Sequence, residues 1–257
     1  MKNLLSPIFA FVFLITSCTP KAEEKKSEET EKSTISISPV ASPEFPTAKL
    51  GLVNPKGLVK DTTVKFEYTV ADYTLTTQTD DAEMKHCANS SKGQHIHVIL
   101  NNEPYLAKYD TKFDHVLKPG PYILLSFLSR SYHESIKTKD AYVLDQFYVG
   151  EKPKDYKPAD LSTAHMFYSR PKGEYTGDDT KKVLLDFFLA NTDLSPDGNK
   201  VRATIMGQEF ILDKWQPYFM EGLPMGEVTI KLELIDAEGN LIEGPFNSVT
   251  RTVKLSA

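Results

Sequence analysis

The stretch "VKFEYTVADYTL", residues 64–75, alternates apolar and polar side chains, and "VLLDFFLANTDL" repeats it at 183–194, an offset of 119. Alternation places Val64, Phe66 and Tyr68 on one face of an extended chain and Lys65, Glu67 and Thr69 on the other, the pattern of a half-buried strand. A second pair follows: "LKPGPYILLSFL" (117–128) matches "LPMGEVTIKLEL" (223–234), now at an offset of 106. The same offset sets Lys108-Tyr109 against Lys214-Trp215, Phe113 against Phe219 and Gly120 against Gly226, while "NPKG" (54–57) matches "RPKG" (170–173). Similarity at domain length means one fold built twice.

Turn residues separate the strand-like runs: Asn54-Pro55, Pro119-Gly120-Pro121, Asp197-Gly198 and Glu238-Gly239-Asn240. No long amphipathic helix is readable. The chain is therefore expected to be all-β: two tandem Ig-like antiparallel β-sandwich domains, internally duplicated. The boundaries expected are a first, His-rich sandwich at 48–152, a linker at 153–163 and a second sandwich at 164–257.

The two copies differ in their polar residues. The offset drops because copy one carries 13 extra residues around 76–92, which include Asp80, Asp81, Glu83, Met84, His86 and Cys87. All six histidines lie at or before His165. At offset 106, His95 and His97 of "GQHIHVIL" (93–100) stand against Val201 and Ala203, His115 against Glu221 and His133 against Gly239. On that alignment His95 and His97 take the inward phase, as Ser126 does against Leu232. The expectation is a polar pocket at one end of the first core, or a first domain whose two faces have exchanged roles. A buried imidazole without partners costs about 1–3 kcal/mol, so a polar partner or an ion is expected beside it.

The N-terminus reads as a signal. Lys2 precedes an apolar run, "LLSPIFAFVFLI" (4–15), too short to span a bilayer. It ends in Ile15-Thr16-Ser17-Cys18, which resembles the bacterial lipobox and implies cleavage before Cys18 and lipid attachment to its thiol. Residues 1–17 are then a lipoprotein signal peptide and 18–47 a disordered tether rich in charge, Ser, Thr and Pro. Thr19 after the cysteine, and Lys21-Ala22-Glu23-Glu24, resemble the signals of outer-membrane and surface-exported lipoproteins. A lipid-anchored place on a bacterial outer membrane, surface-exposed or not, is what the resemblance implies. With Cys18 lipidated only Cys87 remains, so no intrachain disulfide can form. The formal net charge of −5 argues against nucleic acid as a partner.

Two clusters could bind something. His95 and His97 sit two apart on a predicted strand and can reach one ion, with His133, or His86 and Cys87 from the insertion, completing the set; nitrogen and sulfur donors suit copper or zinc. The His-x-His pair resembles that of copper–zinc superoxide dismutase sandwiches. The alternative is a set of histidines hydrogen-bonded within a polar core. The second cluster is "SRSYHES" (129–135), where Arg130 could hold an anion beside Ser129, Ser131 and Glu134. It resembles the Ser-Arg-x-His signature of forkhead-associated phosphopeptide modules, which implies phosphate or phosphopeptide binding. The alternative is a loop stapled by an Arg130–Glu134 pair.

Enzyme motifs are poor, and acid–base chemistry by His133 and Glu134 has no supporting pattern. No Gly-x-Ser-x-Gly elbow occurs, and His133-Glu134 lacks the second histidine of a zincin helix. The HIHxIL and SRxxHES motifs together resemble a family of Bacteroidetes-like outer-membrane lipoproteins, a resemblance that carries no activity with it. The functional expectation is a non-enzymatic, lipid-anchored cell-envelope protein that binds a protein or small-molecule ligand, with a copper or zinc site and a phosphate site as alternatives.

Overall fold

The computed structural model describes residues 34–257. The expected signal peptide, Cys18 and the start of the tether lie outside the described residues. A short strand, β1 (Ser36–Pro39), comes first. Eight strands follow: β2 (Lys49–Asn54), β3 (Gly57–Val59), β4 (Thr63–Ala71), β5 (His95–Leu100), β6 (Leu106–Lys108), β7 (Lys112–Val116), β8 (Gly120–Ser129) and β9 (Tyr142–Val149). Eight more complete the chain: β10 (His165–Arg170), β11 (Glu174–Thr176), β12 (Val183–Ala190), β13 (Lys200–Ile205), β14 (Gln208–Leu212), β15 (Tyr218–Glu221), β16 (Gly226–Ile235) and β17 (Ser248–Ser256).

The duplication is visible in the pairing. The first sandwich packs sheet β2-β4-β7 against sheet β3-β9-β8-β5-β6; the second packs β10-β12-β15 against β11-β17-β16-β13-β14. Strand for strand the order is the same, including a parallel pairing of β3 with β9 and of β11 with β17. The fold is all-β, two tandem Ig-like sandwiches. Val64, Phe66, Tyr68, Ile96, Leu124 and Leu128 belong to the first core. Val183, Leu185, Phe187, Val201, Leu232 and Leu234 belong to the second.

Register corrects the alignment of the histidines. His95 lies opposite Ser129 on β8, while Lys200 lies opposite Ile235 on β16. Ser129 and Ile235 occupy the same place in their strands, so His95 corresponds to Lys200, not Val201, and His97 to Arg202, not Ala203. A slip of one residue moves every side chain to the other face. Ile96, Val98 and Leu100 are the core residues of β5, and His95 and His97 point out of the first core. The same slip affects β7, where His115 corresponds to Met220 and Phe113 to Tyr218, each opposite Val64 or Val183 and Phe66 or Leu185 respectively. Ser126 does face the first core, where it shares a 2.8 Å hydrogen bond with the Tyr68 hydroxyl; it does not meet the histidines.

The outward face of β5 is nevertheless buried, because the second sandwich covers it. Ile99, Tyr105, Leu125 and Phe127 pack on Phe167 and Phe188. Phe127 stacks on Phe188 with centroids 5.1 Å apart, and Trp215 meets Phe188 edge-on at 5.0 Å. Asp186 crosses this seam. It accepts from Lys137 Nζ at 2.6 Å and from the Ser135 backbone and hydroxyl at 3.1 Å each.

The expected tether is also corrected at its distal end. Residues 34–47 are ordered along both domains rather than free. Ile35 is buried in the second core, and β1 adds antiparallel to β15 with Ile37 opposite Met220. The chain then crosses to the first domain. Ser42 Oγ donates to Glu134 at 2.5 Å, and Phe45 meets Tyr73 edge-on at 5.0 Å. Hydrophobic side chains at 35, 37, 40 and 45, spaced among polar ones, supply the burial that a solvated spacer lacks.

Candidate metal centre

β5 projects His95 and His97 from the same face, into the seam between the domains. His133 joins them from the loop after β8. Its backbone φ is +68°, the left-handed region. The equivalent residue of the second repeat is Gly239, with φ +88°. Both loops are closed alike: Arg130 N donates to Glu134 O at 2.9 Å, and Asp236 N to Asn240 O at 2.9 Å. The turn thus suits glycine, and the first repeat places an imidazole there at a conformational cost of about 1 kcal/mol.

Three ring nitrogens converge. His95 Nε2 lies 2.9 Å from His97 Nε2 and 3.1 Å from His133 Nδ1. Among the described residues this trio is the one group of potential ligand atoms brought within 4.8 Å of one another. His95 Nδ1 lies 2.8 Å from the Gly93 carbonyl, to which it must donate. A neutral imidazole has one N–H, so His95 Nε2 is left as a lone pair aimed at the other two rings. His97 Nε2 donates to that acceptor and His133 Nδ1 accepts from the Tyr105 hydroxyl 3.2 Å away, so without an ion the trio forms one hydrogen-bonded network. An ion at their centre would serve all three. Donors at 2.0–2.1 Å in tetrahedral array lie about 3.3 Å apart, within a few tenths of an ångström of the two separations from His95 Nε2, and all three atoms lie within 4.8 Å of one another. The Gly93 carbonyl then plays the outer partner that fixes a ligating tautomer, and Ser169 Oγ, 3.4 Å from His97 Nδ1, lies on the far side of the second ring.

The surroundings keep the rings neutral. Burial pushes His95 down to about 4, against the opposing pull of the Gly93 carbonyl, and the Arg170 and Lys172 charges lower it further. His97 is held well below its ordinary value by burial and then by His95 and His133, and His133 by burial and then by Arg170. Neutral imidazole is the ligating form. Tyr105 stacks flat on His97, with centroids 3.5 Å apart, and its hydroxyl lies 3.2 Å from His133 Nδ1. Lys172 Nζ sits 3.9 Å from the Tyr105 ring centroid and donates to the Tyr105 carbonyl at 2.6 Å. Burial, then Arg170 and Arg251, push Lys172 down to about 8.

The site belongs to the seam rather than to the first domain alone. The second domain contributes Ser169, Arg170 and Lys172. In both repeats the strand register slips at this point, between Leu52 and Asn54 and between Tyr168 and Arg170. Ser169 is the residue bulged out of β10, and bulges re-aim side chains in this way. Its part was not readable from sequence, since its counterpart Val53 is an exposed apolar residue.

Other predicted site residues stand apart from the trio. His86 is exposed, and Cys87 is buried in a separate cluster with Val40, Ala82, Tyr132, Leu184 and Phe219. Arg130 is taken up internally. Nη1 pairs with Glu134 at 2.7 Å and donates to Ser135 O at 3.2 Å, and Nη2 donates to Pro43 O. Ser129 Oγ donates to Arg130 O, and Ser131 exchanges hydrogen bonds with Thr79. This loop staples the N-terminal segment and leaves its guanidinium no free fork for a phosphate.

No protein-family model matches the chain, and no curated protein sequence is similar to it. Solved structures with a related arrangement include the fibronectin(III)-like modules of Clostridium thermocellum CbhA, at 8% identity and a TM-score of 0.29, covering 80% of this chain and 94% of that one. A second is the Bacteroides ovatus mixed-linkage glucan utilization locus protein SGBP-B, solved with a mixed-linkage heptasaccharide, at 10% identity and a TM-score of 0.24, covering 87% and 70%. At such scores the likeness says nothing of ligand or partner, and the sandwich assignment stands on the strand pairing itself.

Proposed function

We propose that the chain is a lipid-anchored cell-envelope binding protein whose ligand is a copper or zinc ion, held by His95 Nε2, His97 Nε2 and His133 Nδ1 at the seam of its two sandwiches. The observation that carries this is the convergence of two buried imidazoles and a partly buried third on one point, the third mounted at a backbone position that the second repeat fills with glycine. The lipobox ending in Cys18 supports the anchor. The adjacent Arg170 and Lys172 charges disfavour added positive charge, so monovalent copper should be held more tightly than zinc.

The test uses the chain from Thr19 onward, purified from the soluble fraction and loaded with copper(I) without oxygen or with zinc. One equivalent should be retained through gel filtration, and His95→Gln with His97→Gln should lose it. Folded protein that retains less than a tenth of an equivalent of either metal would rule the proposal out.

A further inference from the structure

The two repeats differ in one structural respect that bears on partners. In the second, the edge strand β15 is covered by β1; in the first, sheet β2-β4-β7 ends at β7, and no strand of the described residues pairs with its outer edge. The chain therefore shows, on one repeat, what the same edge accepts. Ile37 lies opposite Met220 and packs on the second core, with Ile35 buried beside it. Met220 corresponds to His115 on β7.

At that place the first repeat has a cavity of about 260 Å³, lined by Val98, Leu100, Leu106, Leu117 and Tyr122 with His115 at its side. The corresponding residues of the second repeat, Ala203, Ile205, Phe210, Leu223 and Val228, all lie in or against the cluster that Ile35 and Ile37 join. The cavity is the counterpart of the space that β1 closes.

The outer edge of β7 carries free backbone groups. Tyr68 N donates to Thr111 O, and Leu117 N to Thr62 O. Alternation along an antiparallel ladder then turns Phe113 and His115 toward β4 and leaves the N–H and C=O groups of Lys112, Asp114 and Val116 facing outward. On β15 the equivalent residue to Asp114, Phe219, faces β1, opposite Ser38. Lys112 and Asp114 are exposed, the kind of charge that discourages indiscriminate edge pairing. Val116, 70% exposed, offers an apolar contact beside them.

We propose that β7 and the neighbouring cavity form a docking site for an extended segment of a partner polypeptide, added antiparallel to β7 by strand addition. Its chemistry is that of β1: aliphatic side chains alternating with small hydroxyl ones, the aliphatic residue opposite His115 entering the cavity. Main-chain hydrogen bonds supply affinity and the alternate side chains supply selectivity. This inference is independent of the metal centre.

The probe is a fluorescein-labelled peptide of residues 33–40, "STISISPV", titrated with the chain from Thr19 onward and read by anisotropy. Saturable binding is expected, weakened at least tenfold by Asp114→Pro, which removes an outward N–H from an edge position where proline is tolerated. A peptide with Ile37→Asp should bind at least tenfold more weakly to the unaltered protein. The Asp114→Pro chain should keep its melting temperature and its metal stoichiometry, which separates this result from that of the metal proposal. Binding insensitive to Asp114→Pro would place the peptide on β15 by exchange and overturn the inference, as would no binding up to millimolar protein. A dimer in light scattering that Asp114→Pro dissolves would make a second copy the occupant and likewise overturn the partner reading.

Discussion

His133 shows how a single residue can be separated from the fold that carries it. Its turn is matched hydrogen bond for hydrogen bond by the turn at Gly239, so the backbone does not need an imidazole there. Replacing His133 by glycine restores what the second repeat uses. It relieves left-handed strain worth about 1 kcal/mol and removes ring contacts with His95 and Tyr105 of similar worth. His133→Gly is therefore expected to leave unfolding free energy within about 1 kcal/mol of the parent in urea titration, while metal affinity falls at least 100-fold by competition with a chromophoric chelator. Unchanged affinity would remove His133 from the ligand set. The pairing of His133 with Gly239 was readable in the sequence, because the offset of 106 holds through β8 and the loop after it. The pairing of His95 and His97 was not. Small length changes around β6 and β7 shift the offset by one, and no residue marks where that happens.

At the scale of the element, β4 and β12 are the informative pair. "VKFEYTVA" alternates because its outward face meets water, whereas "VLLDFFLA" is apolar on both faces, and all eight of its residues are buried. A strand buried on both sides reads as a continuous apolar run, and that difference between repeats was a sequence signal for a domain seam. The fold class and the presence of two equivalent copies were thus legible, while the strand order and the seam needed the pairing register to be recognised. Asp186 is the exception in the run, and the structure shows why. Its carboxylate, wholly buried, holds Lys137 and both donors of Ser135 across the seam. Asp186→Ala leaves a backbone N–H without a partner and a largely buried ammonium without its counter-charge, held only by the Ser135 hydroxyl, which costs about 3 kcal/mol. Scanning calorimetry should show a lower first transition that separates from the second as the domains uncouple. A single transition shifted by less than the equivalent of 1 kcal/mol would show that the apolar contacts of Phe127 and Phe188 hold the seam without it.

For the whole molecule, the metal-free protein holds three imidazoles uncharged at the seam of its two sandwiches, where His97 meets Ser169 of the second. Burial pushes folded His95 down to about 4, against an ordinary 6.5 in the unfolded chain; His97 and His133 are lowered in the same direction. The unfolded chain therefore takes up protons more readily. The stability that neutral rings permit is complete above pH 6.5 and is lost as pH falls from 6.5 through the folded values, with His95 alone contributing on the order of 3 kcal/mol. In the metal-free chain the urea midpoint should be level from pH 8 to 7 and then fall steeply between 6.5 and 4. The carboxylates and the other histidines, His115 and His165 among them, contribute equally to any variant that keeps them. A chain carrying His95→Gln, His97→Gln and His133→Gly should therefore show a visibly shallower fall over the same window. Bound metal competes with protons for the same nitrogens, so it should move the steep part of the parent curve to lower pH and leave the variant curve where it was. Equal acid sensitivity in parent and variant would mean that the rings are solvated as the seam opens, and that the seam does not depend on their neutrality.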